Sequence, residues 1–181
     1  MKPGVRIAVT GAPGCGKTTL IRRVIEQLGD KVNIGGIYTE EIRDGGQRKG
    51  FSIIDIATDH RGILSHVELE SGPRMGRYRV NLKDIEEIAV PAIEDALQNR
   101  DLIVIDEIAP MELKSAQFVT AVGEALKSAK QMLVAIHRRA DHPLLRQIHE
   151  EFRVYEVTPA NRERLAGVIV TAFAVGKGRN G

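Results

Sequence analysis

The sequence is poor in aromatic residues, contains no tryptophan and has a single cysteine, Cys15. A lone cysteine excludes an intramolecular disulfide and a cysteine-based metal cage. The low aromatic share of 4% predicts a core built mainly from Ile, Val, Leu and Ala. The sequence also lacks a recognisable secretory signal and any apolar run long enough to span a membrane. We therefore expect a cytoplasmic protein with no membrane partner.

Neither sign of charge is in clear excess, because the formal net charge is only +2. This balance argues against the basic surface of a dedicated nucleic-acid binder, so nucleic acid is not indicated as a partner. The length of 181 residues and the apolar share of 43% are those of one globular domain with a sizeable core. We expect a monomer with a single domain at residues 1–175 and a disordered tail at residues 176–181.

Strand-sized apolar runs alternate with helical patterns along most of the chain, which is typical of an α/β fold with a mostly parallel sheet. Asp44-Gly45-Gly46 predicts a hairpin turn that adds antiparallel strands to one edge, while residues 71–76 are predicted as an irregular loop. Pro91 is expected to kink or divide its helix. The predicted strands are 6–10, 34–42, 51–56, 62–67, 102–105, 132–136 and 154–157. The predicted helices are 17–28, 83–98, 115–128, 143–151 and 161–173.

The motif G-x-x-x-x-G-K-[ST] is matched at every position by residues 11–18, which lie between a predicted strand and a predicted helix. Such a loop points its N–H groups at phosphate oxygens, and the following helix adds its positive dipole end. Lys17 is expected to reach the β- and γ-phosphates, and the Thr18 hydroxyl to bind Mg²⁺. Cys15 is expected to fill a loop position rather than to react. The predicted nucleotide-binding residues of this P-loop are Gly11, Ala12, Pro13, Gly14, Cys15, Gly16, Lys17, Thr18 and Thr19.

A second motif is the apolar run at residues 102–105, which ends in two acids, Asp106 and Glu107. Carboxylates at the C-terminal end of a parallel strand lie where α/β sheets bind ligands. Asp106 is predicted to hold Mg²⁺, directly or through a water, as a Walker B aspartate does. Glu107 is then available to position and deprotonate the attacking water. The strand is expected to end at these acids, so that the chain can turn the second side chain elsewhere.

Tandem acids of this kind are typical of P-loop proteins with a catalytic glutamate, in which a further strand lies between the P-loop strand and the acidic strand. Residues 132–136 are the predicted intervening strand, which would put His137 beside the γ-phosphate or the attacking water. A purely structural role for His137 is the alternative. Arg138, Arg139 and Arg146 follow, and one of them, Arg138 being the first, is expected to stabilise charge in the transition state. A solvated basic surface is the competing interpretation of this cluster.

Several blocks beyond the P-loop resemble one family. They are residues 11–20, 36–43, 48–51, 76–80 and 106–113, with Ser115, Phe118, His137 and Asn161-Arg162 in register. Together they resemble the cancer-related nucleoside-triphosphatase family, small P-loop enzymes first known from thermophiles, over roughly residues 5–173. The segments Thr-Glu-x-Arg and Asp-Glu-Ile-x-x-Met-Glu-Leu are much more specific than the P-loop alone. Ala109 departs from the family pattern, in which glycine is expected.

This resemblance implies a three-layer, RecA-like P-loop NTPase domain. It also implies slow, magnesium-dependent hydrolysis of ATP, GTP and other nucleoside triphosphates to the diphosphate and phosphate. Asn161 and Arg162 would lie near the base; a helix N-cap beside a solvated arginine is the alternative. Residues 161–164 do not match the Asn-Lys-x-Asp guanine reader, so strict GTP specificity is not expected.

Two other functions are compatible with the same motifs. A nucleoside or small-molecule kinase would need an acceptor pocket, which residues 39–43 and 74–79 could supply. A nucleotide-dependent switch that binds RNA or protein would use hydrolysis only as a timer, but its basic patches are interrupted by acids and lack interleaved aromatic residues. The sequence therefore favours a hydrolase of nucleoside triphosphates with Mg²⁺ as its cofactor.

Overall fold

The computed structural model describes residues 4–176, which form one nine-stranded sheet flanked by helices. The strands are β1 (Arg6–Thr10), β2 (Ile34–Asp44), β3 (Gln47–Asp55), β4 (Arg61–His66), β5 (Arg74–Met75), β6 (Tyr78–Val80), β7 (Leu102–Ile108), β8 (Gln131–Ile136) and β9 (Arg153–Glu156). The helices are α1 (Lys17–Leu28), α2 (Leu82–Asp84), α3 (Val90–Asn99), α4 (Ala116–Lys127), α5 (Pro143–Glu151) and α6 (Arg162–Gly176). Short 3₁₀ turns lie at Gly29–Lys31 and Glu112–Lys114, and a π-helical turn lies at Ile85–Ala89.

The strand order across the sheet is β5-β6-β4-β3-β2-β7-β8-β1-β9. Pairing is parallel from β2 through β7, β8 and β1 to β9, and antiparallel from β2 out to β5. The predicted α/β class, with a mostly parallel sheet and added antiparallel strands, is confirmed. The predicted position of the intervening strand is also confirmed, because β8 lies between the P-loop strand β1 and the acidic strand β7.

Helices cover both faces of the parallel part. Alternate residues of β7 show this, since Ile103 and Ile105 pack in the cluster under α3, α4 and α5, whereas Leu102 and Val104 pack in the cluster under α1 and α6. Successive side chains of a strand point to opposite faces, so a strand buried on both sides reads as a continuous apolar run. This arrangement gives three layers and places the carboxyl ends of the parallel strands at one edge.

The antiparallel strands β3, β4, β6 and β5, together with the outer half of β2, form what we call the extension. Its first turn has Gly45 and Gly46 at φ 55° and 78°, the left-handed pair that a tight hairpin turn requires. The irregular loop predicted at residues 71–76 is wrong in one respect, because Arg74 and Met75 pair with Arg79 and Tyr78. Strand pairing across a turn this short leaves too few residues for a periodic signal.

The chain between β6 and β7 is helical and is divided just before Pro91, as the sequence predicted. The Asn81 side chain accepts a hydrogen bond from the Asp84 N–H and caps α2. A π-helical turn at Ile85–Ala89 follows, and α3 begins at Val90 with Pro91 in its first turn, where a missing N–H costs nothing. The division therefore falls where the proline can be accommodated.

The C-terminal helix α6 is longer than predicted and includes Gly176. That residue was predicted as the start of a disordered tail, and it is instead the last residue of α6. The remaining tail, residues 177–181, lies outside the described residues. Among residues 4–176, no helix has the length and apolar character needed to cross a membrane.

Candidate active site

The loop between β1 and α1 curls around an open space. Gly14 and Gly16 have φ values of 75° and 100°, which glycine adopts without a steric penalty. A side chain at Gly16 would also collide with Arg162. The Cys15 N–H donates to the Ala12 carbonyl at 3.1 Å and tightens the turn. Since α1 begins at Lys17, its positive dipole end lies at the loop, as an anion site requires.

Cys15 itself is buried in the apolar cluster beneath this loop. Its Sγ occupies the space beside Gly11, so that a Cβ at Gly11 would collide with it. The side chain therefore fills the loop from below, which supports a packing role over a reactive one.

Lys17 lies between the loop and the acidic strand. Its Nζ donates to the Gly11 carbonyl at 3.3 Å and is 3.8 Å from Glu107 Oε2. Both side chains are largely buried, so this pair is screened less than a surface pair. The ammonium group is thus held next to the carboxylate at the mouth of the loop.

Asp106 is buried, with 1% of its surface exposed. Burial raises the pKa of its carboxyl to about 7, while hydrogen bonds from the Thr18 hydroxyl and the Thr39 N–H oppose the rise. Its Oδ2 has no hydrogen-bond partner among the described residues. An unpaired buried carboxylate oxygen is costly unless a cation or donor meets it. Asp106 and Thr18 therefore offer two oxygens at one point, a donor set that Mg²⁺ prefers.

Glu107 follows within the same strand, and here one expectation is wrong. The strand was expected to end at the acids, but β7 continues to Ile108, with a shift in pairing register against β8 between Ile105 and Ile108. Irregularities of this kind change the direction of a side chain without ending the strand. Asp106 and Glu107 thus both lie within this irregularity, and Glu107 Oε2 has no hydrogen-bond partner in the part of the chain that the structure describes.

His137 follows β8 at the same edge of the sheet. The backbone N–H of His137 donates to the Ile108 carbonyl at 3.2 Å, and the ring Nδ1 accepts from the backbone N–H of Arg139 at 3.2 Å. A neutral imidazole that accepts at Nδ1 carries its proton on Nε2. His137 in this form is a hydrogen-bond donor at its free nitrogen rather than a base.

Two of the arginines that follow His137 have carboxylate partners. Arg138 pairs with Glu156 at 3.2 Å, and Arg146 pairs with Asp141 at 3.5 Å, all with exposed side chains. Asn161 also has local partners: its Oδ1 accepts from the Thr158 N–H at 2.8 Å and its Nδ2 donates to the Glu156 carbonyl at 2.9 Å. These contacts order the turn before α6.

A cavity of about 850 Å³ opens between the P-loop and the extension. Of the residues predicted for the site, it is lined by Pro13, Gly14, Gly16, Lys17, Thr18, Thr19, Asp106, Glu107 and His137. Gly11, Ala12, Cys15, Arg138, Asn161 and Arg162 do not line it. Arg162 instead packs against the P-loop at Gly16. The structure therefore brings the P-loop, the two acids and His137 together around one cavity, whereas Arg138, Asn161 and Arg162 lie outside its lining.

The sequence did not single out Glu112, which also lines this cavity. It is 2% exposed, and its Oε2 has no hydrogen-bond partner within residues 4–176. Burial raises its pKa well above the usual range, and the neighbouring charge of Glu107 adds to the rise. The only local signal was an acid placed between two apolar residues, Met111 and Leu113, where a polar residue needs a reason to be buried.

A P-loop whose lysine and threonine meet two acids at the carboxyl ends of parallel strands defines a P-loop nucleotide-binding protein. Comparison with known proteins identifies the group within this class. A family model described as NTPase matches residues 6–170, and the chain belongs to this family.

Relatives and solved structures agree with that assignment. The chain is 50% identical over 171 residues to the nucleoside-triphosphatase THEP1 of Methanosarcina acetivorans, covering 93% of this chain and 97% of the relative. It is 40% identical over 177 residues to that of Pyrococcus abyssi, with 97% and 96% covered. The crystal structure of THEP1 from the hyperthermophile Aquifex aeolicus matches with a TM-score of 0.82 at 34% identity, with 92% of this chain and 98% of the other covered. The solution structure of a human cancer-related nucleoside triphosphatase gives 0.76 at 38%, covering 92% and 96%. The family predicted from the sequence blocks is confirmed.

Proposed function

We propose that this protein hydrolyses nucleoside triphosphates to the diphosphate and phosphate in a magnesium-dependent reaction. The observation that carries the proposal is the meeting of Lys17, Thr18, Asp106 and Glu107 at one end of a single cavity. The names of the relatives, all nucleoside-triphosphatases, support the same activity for this chain.

Magnesium is proposed to be held by the Thr18 hydroxyl and by Asp106, directly or through water. The unpaired Oδ2 of Asp106 supports this assignment, because a cation beside it would offset the burial that raises the Asp106 pKa. When bound, the ion neutralises charge on the β- and γ-phosphates.

The chemical step needs a base, a phosphate group held in place, and stabilisation of the negative charge that develops in the transition state. Glu107 takes a proton from a water molecule as the water oxygen attacks the γ-phosphorus, and the bond to the β-phosphate oxygen breaks. Lys17, which already lies 3.8 Å from Glu107, holds the phosphate oxygens beside that base. His137 donates from Nε2 to a γ-phosphate oxygen, a role that its hydrogen bond from the Arg139 N–H favours.

An arginine that stabilises the transition state is a further part of the prediction. Arg138 would have to leave Glu156 to reach the γ-phosphate. Arg43 and Arg48 already line the cavity from the extension, where both pair with Glu41. We infer that these two are better placed than Arg138 to supply the charge.

Arg162 and Asn161 are proposed to border the sugar or base of the nucleotide. Arg162 packs against Gly16 and does not line the cavity, and its Nε is buried without a hydrogen-bond partner among residues 4–176. Asn161 would act through the turn that it orders. The cytoplasmic location and the monomeric state stay predictions.

The test is phosphate release measured across the ribo- and deoxyribonucleoside triphosphates, with Mg²⁺ and with EDTA. We expect release from several nucleotides, and loss of release in EDTA. The absence of release from every nucleotide, or release that is equal in EDTA, would contradict the proposal.

A further inference from the structure

The cavity extends beyond the residues proposed to hold the phosphates and Mg²⁺. It measures about 850 Å³ and reaches from the P-loop to Phe51 of β3, Leu64 of β4 and Met75 of β5. Volumes of this size are typical of sites that enclose a small organic molecule. The part beyond the P-loop therefore has room for a second molecule next to the γ-phosphate.

One part of this space has an apolar wall, although Arg43 and Arg48 also line the cavity. Phe51, Leu64, Met75 and Met111 form that wall, from three strands of the extension and from the segment after β7. Phe51 is held edge-on by Tyr78 at a ring distance of 5.7 Å and is covered by Arg48 at 5.3 Å. A fixed aromatic ring beside two methionines is a surface suited to a planar or ring-bearing ligand.

Glu112 adds a polar group to this otherwise apolar wall. Its carboxyl interacts with the N–H groups of Glu112 itself and Ala109, but Oε2 has no partner among the described residues. Buried polar atoms in folded proteins nearly always have a hydrogen-bond partner. A hydroxyl or N–H donor on a bound molecule would satisfy this oxygen.

The nucleotide base does not account for the space. A P-loop directs the γ-phosphate end of the nucleotide toward the acids, and Asp106 and Glu107 lie on the cavity side. Arg162, proposed to border the sugar or base, packs against the loop at Gly16 and does not line the cavity. The ring-binding wall thus lies beyond the γ-phosphate, where an acceptor of that phosphate would sit.

We propose that this part of the cavity binds a second substrate, a small ring-bearing alcohol with a hydrogen-bond donor, which accepts the γ-phosphoryl group in place of water. The proposal rests on the hydrolytic function proposed above, because it uses the same base and the same phosphate site.

The reaction follows from replacing water by the alcohol. The alcohol oxygen attacks the γ-phosphorus, and the alcohol proton passes to Glu107. The bond between the γ-phosphorus and the oxygen that bridges it to the β-phosphate breaks. The products are a phosphate monoester and the nucleoside diphosphate. Hydrolysis is then the reaction of the enzyme when water alone occupies the acceptor position.

The experiment measures how the γ-phosphoryl group divides between water and an added alcohol. The enzyme is incubated with MgATP and 3-hydroxybenzyl alcohol, 3-aminobenzyl alcohol or glycerol at equal concentration, and phosphate and ester are quantified by ³¹P NMR. We expect the ring alcohols to give at least about tenfold more ester than glycerol, a binding preference of about 1.4 kcal/mol. Saturation-transfer NMR with the Mg²⁺ complex of the β,γ-imido analogue is expected to show saturable binding of the ring alcohols only.

A matched pair of variants locates the effect. Met75→Trp fills the apolar wall and is expected to remove the preference for ring alcohols. Leu97→Trp makes the same kind of change in a separate groove between α3 and α4 and is expected to keep it. Equal effects of the two variants would contradict the assignment to this wall.

The outcomes separate the two proposals. Phosphate release with no preference for the ring alcohols over glycerol overturns the acceptor site and leaves the hydrolase. Saturable binding of the ring alcohols without ester also overturns the acceptor role. Ester formation without phosphate release in the absence of alcohol overturns the hydrolase and supports the acceptor site, and neither product overturns both.

Discussion

The parallel part of the sheet and the extension differ in how their charged side chains are buried and paired. In the parallel part, β7 and β8 are buried along almost their whole length, and the acids there are enclosed with few partners. In the extension, charges lie at the surface and pair with one another: Glu41 with Arg43 and Arg48, and Glu40 with Arg22 and Arg61. Exposed pairs contribute little to stability, whereas buried charges interact strongly with whatever is brought next to them.

This contrast suggests a division of labour across one cavity. The parallel part supplies buried groups proposed to hold phosphate and metal, and the extension supplies another part of the cavity wall. Mutations should therefore act on chemistry and stability in the first half, and on what binds beside the phosphate in the second.

The largest effect is expected for Lys17→Ala in the parallel part. Lys17 is the cation beside Glu107 at the mouth of the P-loop, so its loss should lower kcat/KM by about 10³-fold and weaken triphosphate binding. Steady-state phosphate release and nucleotide titration would measure both, with Lys127→Ala on the exposed side of α4 as the control. Wild-type rates in Lys17→Ala would refute the site assignment.

A phenylalanine-to-alanine substitution in the parallel part and another in the extension test the difference in packing. Phe118, a residue of α4, is fully buried, and Phe118→Ala should lower the free energy of unfolding by about 3–5 kcal/mol. Phe51 is only partly buried, so Phe51→Ala should cost less than half as much. Urea denaturation of the two variants compares them directly. Equal losses would mean that the extension is as tightly packed as the parallel part.

The buried acid Glu112 gives a smaller effect that depends on pH. Because its folded pKa is raised, the unfolded chain loses the proton first, and stability falls as pH rises from near 4.5 toward the folded pKa. Glu112→Gln should remove this loss and raise Tm by about 2–4 °C per kcal/mol recovered. The gain in Tm over wild type should be present at pH 8. It should shrink at pH 4, where the Glu112 carboxyl is neutral and so resembles the glutamine amide. A gain that is unchanged between these pH values would exclude the titration as its cause.

The smallest effect is expected at the hairpin tip. Gly45 and Gly46 are exposed, although residues further along the same strands line the cavity. A longer Gly/Ser loop in their place should change nucleotide affinity by less than about tenfold, or 1.4 kcal/mol. Isothermal titration with an imido analogue would show it. A larger loss would mean that the tip itself contributes to nucleotide binding.

The features predicted correctly from the sequence are those with local signals. The P-loop motif consists of eight consecutive residues, 11–18. Pro91 marks the point at which its helix is divided. The insertion of β8 between β1 and β7 followed from the tandem acids, because that pair belongs to one known strand order. Each of these features depends on residues close together in the chain.

The features that were missed depend on contacts between distant segments. The continuation of β7 to Ile108 reflects pairing with Ile136 of β8, and the short strand β5 exists only through β6. Glu112 is a site candidate because the extension encloses it in a cavity. The ion pair between Arg138 and Glu156 likewise depends on how β9 lies beside β1, and the catalytic role of Arg138 stays a prediction.

Asp106 and Glu107 are proposed to have different tasks, and one pair of variants distinguishes them. Binding of the Mg²⁺ imido analogue and single-turnover hydrolysis are measured for Asp106→Asn and Glu107→Gln. We predict that Asp106→Asn loses magnesium-dependent affinity, because it removes charge from the proposed metal position. Glu107→Gln should keep that affinity and lose hydrolysis by about 10²–10⁴-fold, because glutamine cannot accept the proton. Turnover of Glu107→Gln within a few-fold of wild type would contradict the account.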